Sequence, residues 1–560
     1  MVLTQKLELE TTELFKQKEY SKVVFEITSK TNEKERSSFL CNLLGLSRIS
    51  NDNKNKNLLS IAINDFKSGF LKEKNSIQSI DCLANFITTS VLLIDLEKNY
   101  EFNFSEIINF YKLSEKFCIN HRPINLAMAM VYRRLNDTKG LILHFNRLIE
   151  AKKFNSNDLC NYGYWQCFNK DWKQSDFFNF GKFLDQNLKE IPHNQLVEIS
   201  EVSNSKIRIG FLSSDIHSGH SITYFLKTIF SNYEKSKFEI ILVLSNSKED
   251  KLTNSFKNFV DKTINISQLN NVNAINQVRE LNLDILVDLM GYTSTHRIEL
   301  FKARMAKKQI IWMGYCNTTG LKNMDYIISD PNLIDREEEK FYTEKVIYLP
   351  KIWNTHCGFD FERKENSPPF FKKKFFTFGS FNSFDKINSD VVSCWSNILK
   401  KISNSKLVLK TSKRQHAQDR IKELFKKNEV LDSIRFIERE EVFENHLNAY
   451  NEIDIALDTF PYNGVTTSFE AIWMGVPVIT MAGYNFNSRC GESINKNLGM
   501  EQLIAKDEND YVQKIVNLSD NHDEYTNLRK FVFTNALKSP LFDNQGYSKN
   551  FFEALEQIVK

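Results

Sequence analysis

The chain has 560 residues, 41% of them apolar, with 74 basic and 70 acidic side chains and a net charge of +4. That length supports three or four ordinary domains, and that apolar content supplies sizeable cores, which excludes a globally disordered chain. The near balance of charge argues against a dedicated nucleic-acid binder, which carries a strong basic excess.

The stretch MVLTQKLELETTELF is charged throughout and lacks the apolar centre of a signal peptide. No run approaches the roughly 20 apolar residues of a membrane span. The nine cysteines are scattered and none forms a C-x-x-C pair. Neither a zinc cage nor a disulfide framework is indicated, and the odd, unpatterned set fits a reducing compartment. A cytoplasmic protein without a membrane span is expected.

Residues 1–203 read as helices. LELETTELFKQKEYSKVVFEITSK and DLCNYGYWQCFNKDWKQSDFFNFGKFLDQNL carry apolar residues at three- and four-residue spacing. Short helices joined by polar turns predict stacked helical hairpins, with at best a degenerate 34-residue tetratricopeptide period. Either a packing domain or a peptide-binding solenoid has this pattern.

From residue 204 the character changes. KIRIGFLSSD, FEIILVLSN, DILVDLMGYT, KQIIWMG, MDYIISD and KVIYLP read as strands, with helical patterns such as ITYFLKTIFSNY and NAINQVRELN among them. This alternation predicts a parallel, doubly wound sheet over 204–353. Residues 354–374, with Pro-Pro and a charge run, read as a linker. The pattern restarts over 375–560: FFTFGSFN, SKLVLKT, SIRFIE, DIALD and VPVITM as strands, closed by helices ending in YSKNFFEALEQIV. The expected class is α/β, with two facing Rossmann-like sheets after an all-α front domain. A ligand is expected between the sheets, at the carboxyl ends of their strands.

Three stretches carry chemistry. In DTFPYNGVTTSFEAIWMGVPVIT, the loop delivers a helix N-terminus to the top of the second sheet, where free N–H groups and the dipole favour an anion. Thr466 and Thr467 add hydroxyls, and Glu470 lies one turn in, within reach of a ribose diol. The structural alternative is an N-cap threonine with a capping-box glutamate. In GSFNSFDKINSD, Lys386 follows a strand and suits a phosphate; the alternative is a solvated lysine. In SSDIHSGHSITYF, His217 and His220 follow the first strand. A His there serves as acid, base or hydrogen-bond donor, or simply caps a helix. No third metal ligand is nearby, no D-x-D occurs, and no metal or other cofactor is expected. Together the three stretches have the layout of a two-sheet glycosyltransferase that uses a nucleotide-sugar.

These stretches, with GYTSTHRIELFKARMAKKQIIWMGYCNTTGLKNMDYIISD, resemble the O-GlcNAc transferase/SPINDLY family over roughly residues 205–560. The front helices match its tetratricopeptide region only loosely. The resemblance implies a GT-B fold and metal-independent, inverting transfer of a sugar to Ser or Thr hydroxyls of proteins. It implies His220 as the active-site histidine, Lys386 as the cation on the donor diphosphate, and Thr466 and Thr467 as the phosphate-binding pair. Glu470 then holds the ribose, His446 packs on the base and Gly314 lies beside the sugar. Ser383 and Gly464, in the same two loops, complete the donor set.

The chain also departs from the family. Cys316-Asn317 follows WMGY where Pro-Gly is frequent, and Phe443 stands where the animal enzymes carry a lysine. The DTFPY-G-TT stretch is nearer the SPINDLY branch, for which GDP-fucose is a donor. The expectation is a protein glycosyltransferase with UDP-GlcNAc as leading donor and GDP-fucose or a UDP-hexose as alternatives. Its acceptor is a protein or peptide, met by the front helices. The competing expectations are transfer to glycans or small molecules and an inactive peptide-binding scaffold.

Overall fold

The structure, a computed structural model, describes all residues except 1, 74–75, 97–103, 201–204, 294, 412–413, 439 and 441, and the side chains of residues 2 and 3. It divides into two compact units, residues 1–155 and 156–560. The boundary expected at 203/204 lies outside the described residues.

In the first unit, the described residues form packed helices joined by short turns: Val2–Lys16, Tyr20–Lys30, Ser38–Asn51, Lys56–Lys72, Ile77–Leu96, Phe104–Cys118, Arg122–Arg134 and Thr138–Glu150. Local chemistry sets several of the starts. Ser37, Asn55 and Asp137 each accept a first-turn backbone N–H, the N-cap interaction that stops a helix end from fraying. Ile77–Leu96 reaches the length and apolarity of a membrane span, which corrects the expectation that no run does so. Ile80, Leu83, Phe86, Ile87, Val91 and Leu93 of this helix are buried in the unit's core, and this packing accounts for its apolar character.

The second unit holds two all-parallel sheets. The first has β1 (Ile207–Ser213), β2 (Phe238–Leu244), β3 (Lys262–Asn265), β4 (Ile285–Asp288), β5 (Lys308–Ile311), β6 (Tyr326–Ser329) and β7 (Lys345–Tyr348), in the order β3-β2-β1-β4-β5-β6-β7. The second has β8 (Thr377–Ser380), β9 (Lys406–Lys410), β10 (Ile434–Ile437), β11 (Ile455–Leu457), β12 (Val478–Met481) and β13 (Ile504–Ala505), in the order β10-β9-β8-β11-β12-β13. Strand order reverses at β1/β4 and at β8/β11. Crevices open at such switch points, beyond the strands' carboxyl ends. Inner strands such as β2 and β4 are buried on both faces and read as near-continuous apolar runs, as parallel sheets require, while the edge strands β3, β7 and β10 are partly exposed.

The helices Ser156–Gln166 and Gln174–Asn187 belong to this unit rather than to the front helices. Gly181 meets Gly320 so closely that a Cβ on either would overlap the other's backbone. The residues expected as a linker begin inside the fold: Asn354, Thr355 and His356 are buried, and the His356 N–H donates to Leu541 O at 3.0 Å. The last helix, Asn544–Val559, returns to the first sheet, with Phe551 against Trp312 and Tyr547 OH donating to Trp353 O at 2.6 Å.

Candidate active site

A cleft of about 240 Å³ lies between the sheets. Its wall from the first sheet carries His220, Ser221, Ile222 and Phe225 after β1, Met313, Gly314 and Cys316 after β5, and Trp353 and Asn354 after β7. Its wall from the second sheet carries Asn382, Ser383 and Lys386 after β8, Tyr462, Val465, Thr466 and Thr467 after β11, and Cys490. Six of the expected residues therefore meet in one cleft: His220, Gly314, Ser383, Lys386, Thr466 and Thr467. Gly464, His446 and Glu470 stand behind its lining.

The helix Thr466–Trp473 begins at the cleft with Val465 as its N-cap residue and no side-chain cap. The capping-box alternative is thus absent. Glu470 is turned the other way, its Oε2 accepting from His446 Nε2 at 2.9 Å and from Tyr450 OH at 2.9 Å. Ser468 N and Phe469 N donate to Val465 O at 3.0 and 3.1 Å, which leaves the N–H groups of Thr466 and Thr467 without an acceptor in the helix and places partial positive charge at the cleft. Thr467 Oγ1 donates to Asn382 Oδ1 at 3.0 Å. The loop behind is tied to Asp458, whose carboxylate accepts from Gly464 N at 2.6 Å, Thr459 N at 2.8 Å and Thr480 Oγ1 at 2.8 Å. Burial pushes Asp458 up to about 6, against the pull of those donors and of Lys386.

Lys386 is not a solvated lysine. It is part-buried, its Nζ donates to Asn463 O at 2.6 Å and lies 4.3 Å from the centroid of the Tyr462 ring. Burial holds its pKa below the usual lysine value, and Asp458 opposes that shift. On the facing wall, His220 Nε2 lies 3.8 Å from Asp215 Oδ2, and its ring is 5.6 Å from that of His217. Burial lowers the His220 pKa, Asp215 raises it and His217 lowers it. Its contact with the following helix is long: Ile222 N donates to Nδ1 at 3.5 Å. A neutral imidazole facing a cationic, donor-rich wall can take a proton from a hydroxyl held between them.

The profile of glycosyl transferase family 41 matches residues 186–358 and 371–551. The chain belongs to glycosyl transferase family 41. Among its relatives, the tomato (Solanum lycopersicum) protein named probable UDP-N-acetylglucosamine–peptide N-acetylglucosaminyltransferase SPINDLY is 30% identical over 373 residues, 65% of this chain and 40% of that protein. The Caenorhabditis elegans UDP-N-acetylglucosamine–peptide N-acetylglucosaminyltransferase is 23% identical, over 68% of this chain and 43% of its own. The chain thus spans about 40% of the length of the first of these curated relatives. In fold it is similar to a variant of the Thermobaculum terrenum O-GlcNAc transferase, with a TM-score of 0.75 at 19% identity, covering 93% of this chain and 98% of that one. The expected GT-B architecture and the family resemblance are both borne out.

In this family 41 chain, several site residues escaped the sequence. Asp215 stands in the quoted SSDIH stretch, but its pairing with His220 needs the turn at Gly219, where φ is +84°. Lys410, at the end of β9, donates to His446 Nδ1. An ammonium can only donate, so His446 accepts at Nδ1 and carries its proton at Nε2, where it donates to Glu470. Asn382 and Tyr462 lie in the quoted loops, but only the facing of two loops reveals their roles.

Proposed function

We propose that this chain transfers a sugar from a nucleoside-diphosphate donor to hydroxyl groups of proteins. The observation that carries the reading is the cleft's polarity. Lys386, Thr466, Thr467 and an uncapped helix N-terminus line one wall, and a histidine with a lowered pKa lines the other.

Breaking the anomeric C–O bond leaves negative charge on the departing diphosphate. The Lys386 ammonium, the two threonine hydroxyls and the free N–H groups of Thr466 and Thr467 are donors suited to that charge. Hydrogen bonds to charged groups contribute about 1.5–3 kcal/mol each, and removing one preorganised donor of this kind costs about 10²–10³ in kcat. His220 takes the acceptor hydroxyl's proton, and Asp215 steadies the imidazolium that forms. The hydroxyl oxygen attacks the anomeric carbon opposite the leaving diphosphate and inverts its configuration. We propose that this proceeds without a metal, the protein's own donors meeting the diphosphate.

Protein acceptors are supported by the relatives' names, which specify peptide N-acetylglucosaminyl transfer, and those names make UDP-GlcNAc the first donor to test. GDP-fucose is the second reading. It is favoured by the higher identity to SPINDLY proteins, 30% against 23% for the animal enzyme, and by Phe443 at the position of the animal lysine. The test incubates the purified chain in EDTA with UDP-GlcNAc, UDP-glucose or GDP-fucose and a mixed protein acceptor, and reads added mass by mass spectrometry. Addition of one sugar type at Ser or Thr supports the proposal and names the donor. Absence of transfer from every donor, with retained peptide binding, favours the scaffold alternative.

A further inference from the structure

We infer that Phe168 is a positioning residue for the donor diphosphate, acting by holding the Tyr462 ring on which the Lys386 ammonium rests. The inference depends on the diphosphate-donor reading above.

The Phe168 and Tyr462 rings stack with centroids 4.9 Å apart and planes 25° apart. Lys386 Nζ lies over the same Tyr462 ring at 4.3 Å. A stacked phenyl and an ammonium cannot occupy one face of one ring, so Tyr462 is held between them. Among the described residues no carboxylate lies within ion-pair distance of Lys386; its ammonium donates to the backbone carbonyl of Asn463. An ammonium fixed by a ring face and a carbonyl keeps its charge for an incoming anion, whereas a carboxylate partner would neutralise it.

Phe168 is itself fixed from both halves of the unit. The segment that carries it sits on the second half: Asn487 Nδ2 donates to Cys167 O at 3.2 Å, Tyr484 OH donates to Asn169 O at 2.9 Å, and Lys170 pairs with Asp390 at 2.5 Å. The helix that follows sits on the first half, through the Gly181–Gly320 contact and a 2.9 Å bond from Gln174 Nε2 to Asn317 Oδ1. Phe168 therefore meets the ring under the cleft's cation from the turn between two helices that strand and loop motifs do not include.

The test is calorimetric, on the full chain, with a nucleoside, its monophosphate and its diphosphate as probes, using the base that the wild type prefers. Phe168→Leu should weaken the diphosphate about tenfold, the scale of one lost stack and a loosened cation–ring contact, and the nucleoside less than twofold. The donor KM should rise and kcat should fall, because the same ammonium meets the leaving diphosphate, and Phe168→Tyr should restore both. Tyr462→Leu reaches the same link from the other side and should reproduce the diphosphate-selective loss should Phe168→Leu not fold. Equal weakening of nucleoside and diphosphate, or no weakening, overturns the inference while leaving the donor reading intact. If the wild-type chain binds no nucleoside diphosphate, the donor reading falls and this inference with it.

Discussion

Thr467 Oγ1 donates to Asn382 Oδ1 at 3.0 Å, tying the helix after β11 to the loop after β8 across the second sheet's switch point. The bond orients the threonine hydroxyl and fixes the spacing between that helix and the Lys386 loop. The hydroxyl carries one proton, which must turn from Asn382 to the diphosphate when the donor binds. Thr467→Val keeps the shape and removes that proton. It should raise the dissociation constant of a nucleoside diphosphate roughly tenfold, the worth of one hydrogen bond to a charged group. Asn382→Ala should cost less alone, and the two changes should be non-additive in a double-mutant cycle read by calorimetry.

Two glycines in the site have different consequences. A Cβ on Gly464 would lie 2.6 Å from Thr467 Oγ1, 2.7 Å from Asn382 Oδ1 and 3.0 Å from the buried Asp458 Oδ1, all side-chain atoms. Gly464→Ala should therefore break the Thr467–Asn382 bond and weaken donor binding, with a smaller fall in melting temperature than a clash with backbone causes. A Cβ on Gly314 would lie 1.8 Å from the Leu289 carbonyl oxygen, which is backbone. Gly314→Ala should destabilise the fold by about 1–3 kcal/mol, the usual cost of forced overpacking, as read by denaturant melts.

The His220 environment sets a pH dependence. Burial is the main cause of its lowered pKa, His217 adds to the lowering and Asp215 opposes it. If neutral His220 is the active form, activity is lost only as pH falls below the ordinary histidine value of about 6.5. His217→Gln removes one lowering influence and should move the acid limb of kcat/KM to higher pH. Asp215→Asn removes the raising influence and should move it lower. Profiles measured between about pH 5 and 8 check both directions.

Lys410, His446, Glu470 and Tyr450 form one chain of hydrogen bonds with Glu470 Oε2 as its final acceptor. Glu470 is 5% exposed, so its orientation depends on these partners. Lys410→Met should raise the donor KM about fivefold to tenfold, as expected for one charge-assisted bond lost at a distance from the reacting atoms, with kcat little changed. Steady-state kinetics with varied donor check this.

The sheets were legible because parallel strands buried on both faces leave apolar runs that alternate with helical spacing. β3, Lys262–Asn265, was not: its four residues, KTIN, are part-polar and sit at the sheet edge. Thr466, Thr467 and Lys386 were legible because each closes the loop that leaves the carboxyl end of a strand. The His446–Glu470 bond, the Lys410 contact and the Tyr462 ring were not, because each joins residues from separate loops. Helical spacing revealed Ser156–Gln166 and Gln174–Asn187 as helices but carried no information on their partner, which is the sheet-bearing unit. The apolarity of Ile77–Leu96 likewise shows burial without saying in what.

The most direct test of the account is isothermal calorimetry of UDP and GDP, in EDTA, against the wild-type chain and Lys386→Met. The account predicts that one of the two nucleotides binds the wild type with one-to-one stoichiometry, and that the variant keeps its fold and binds that nucleotide at least tenfold more weakly. Equal binding by wild type and variant, or binding of neither nucleotide by the wild type, would contradict it.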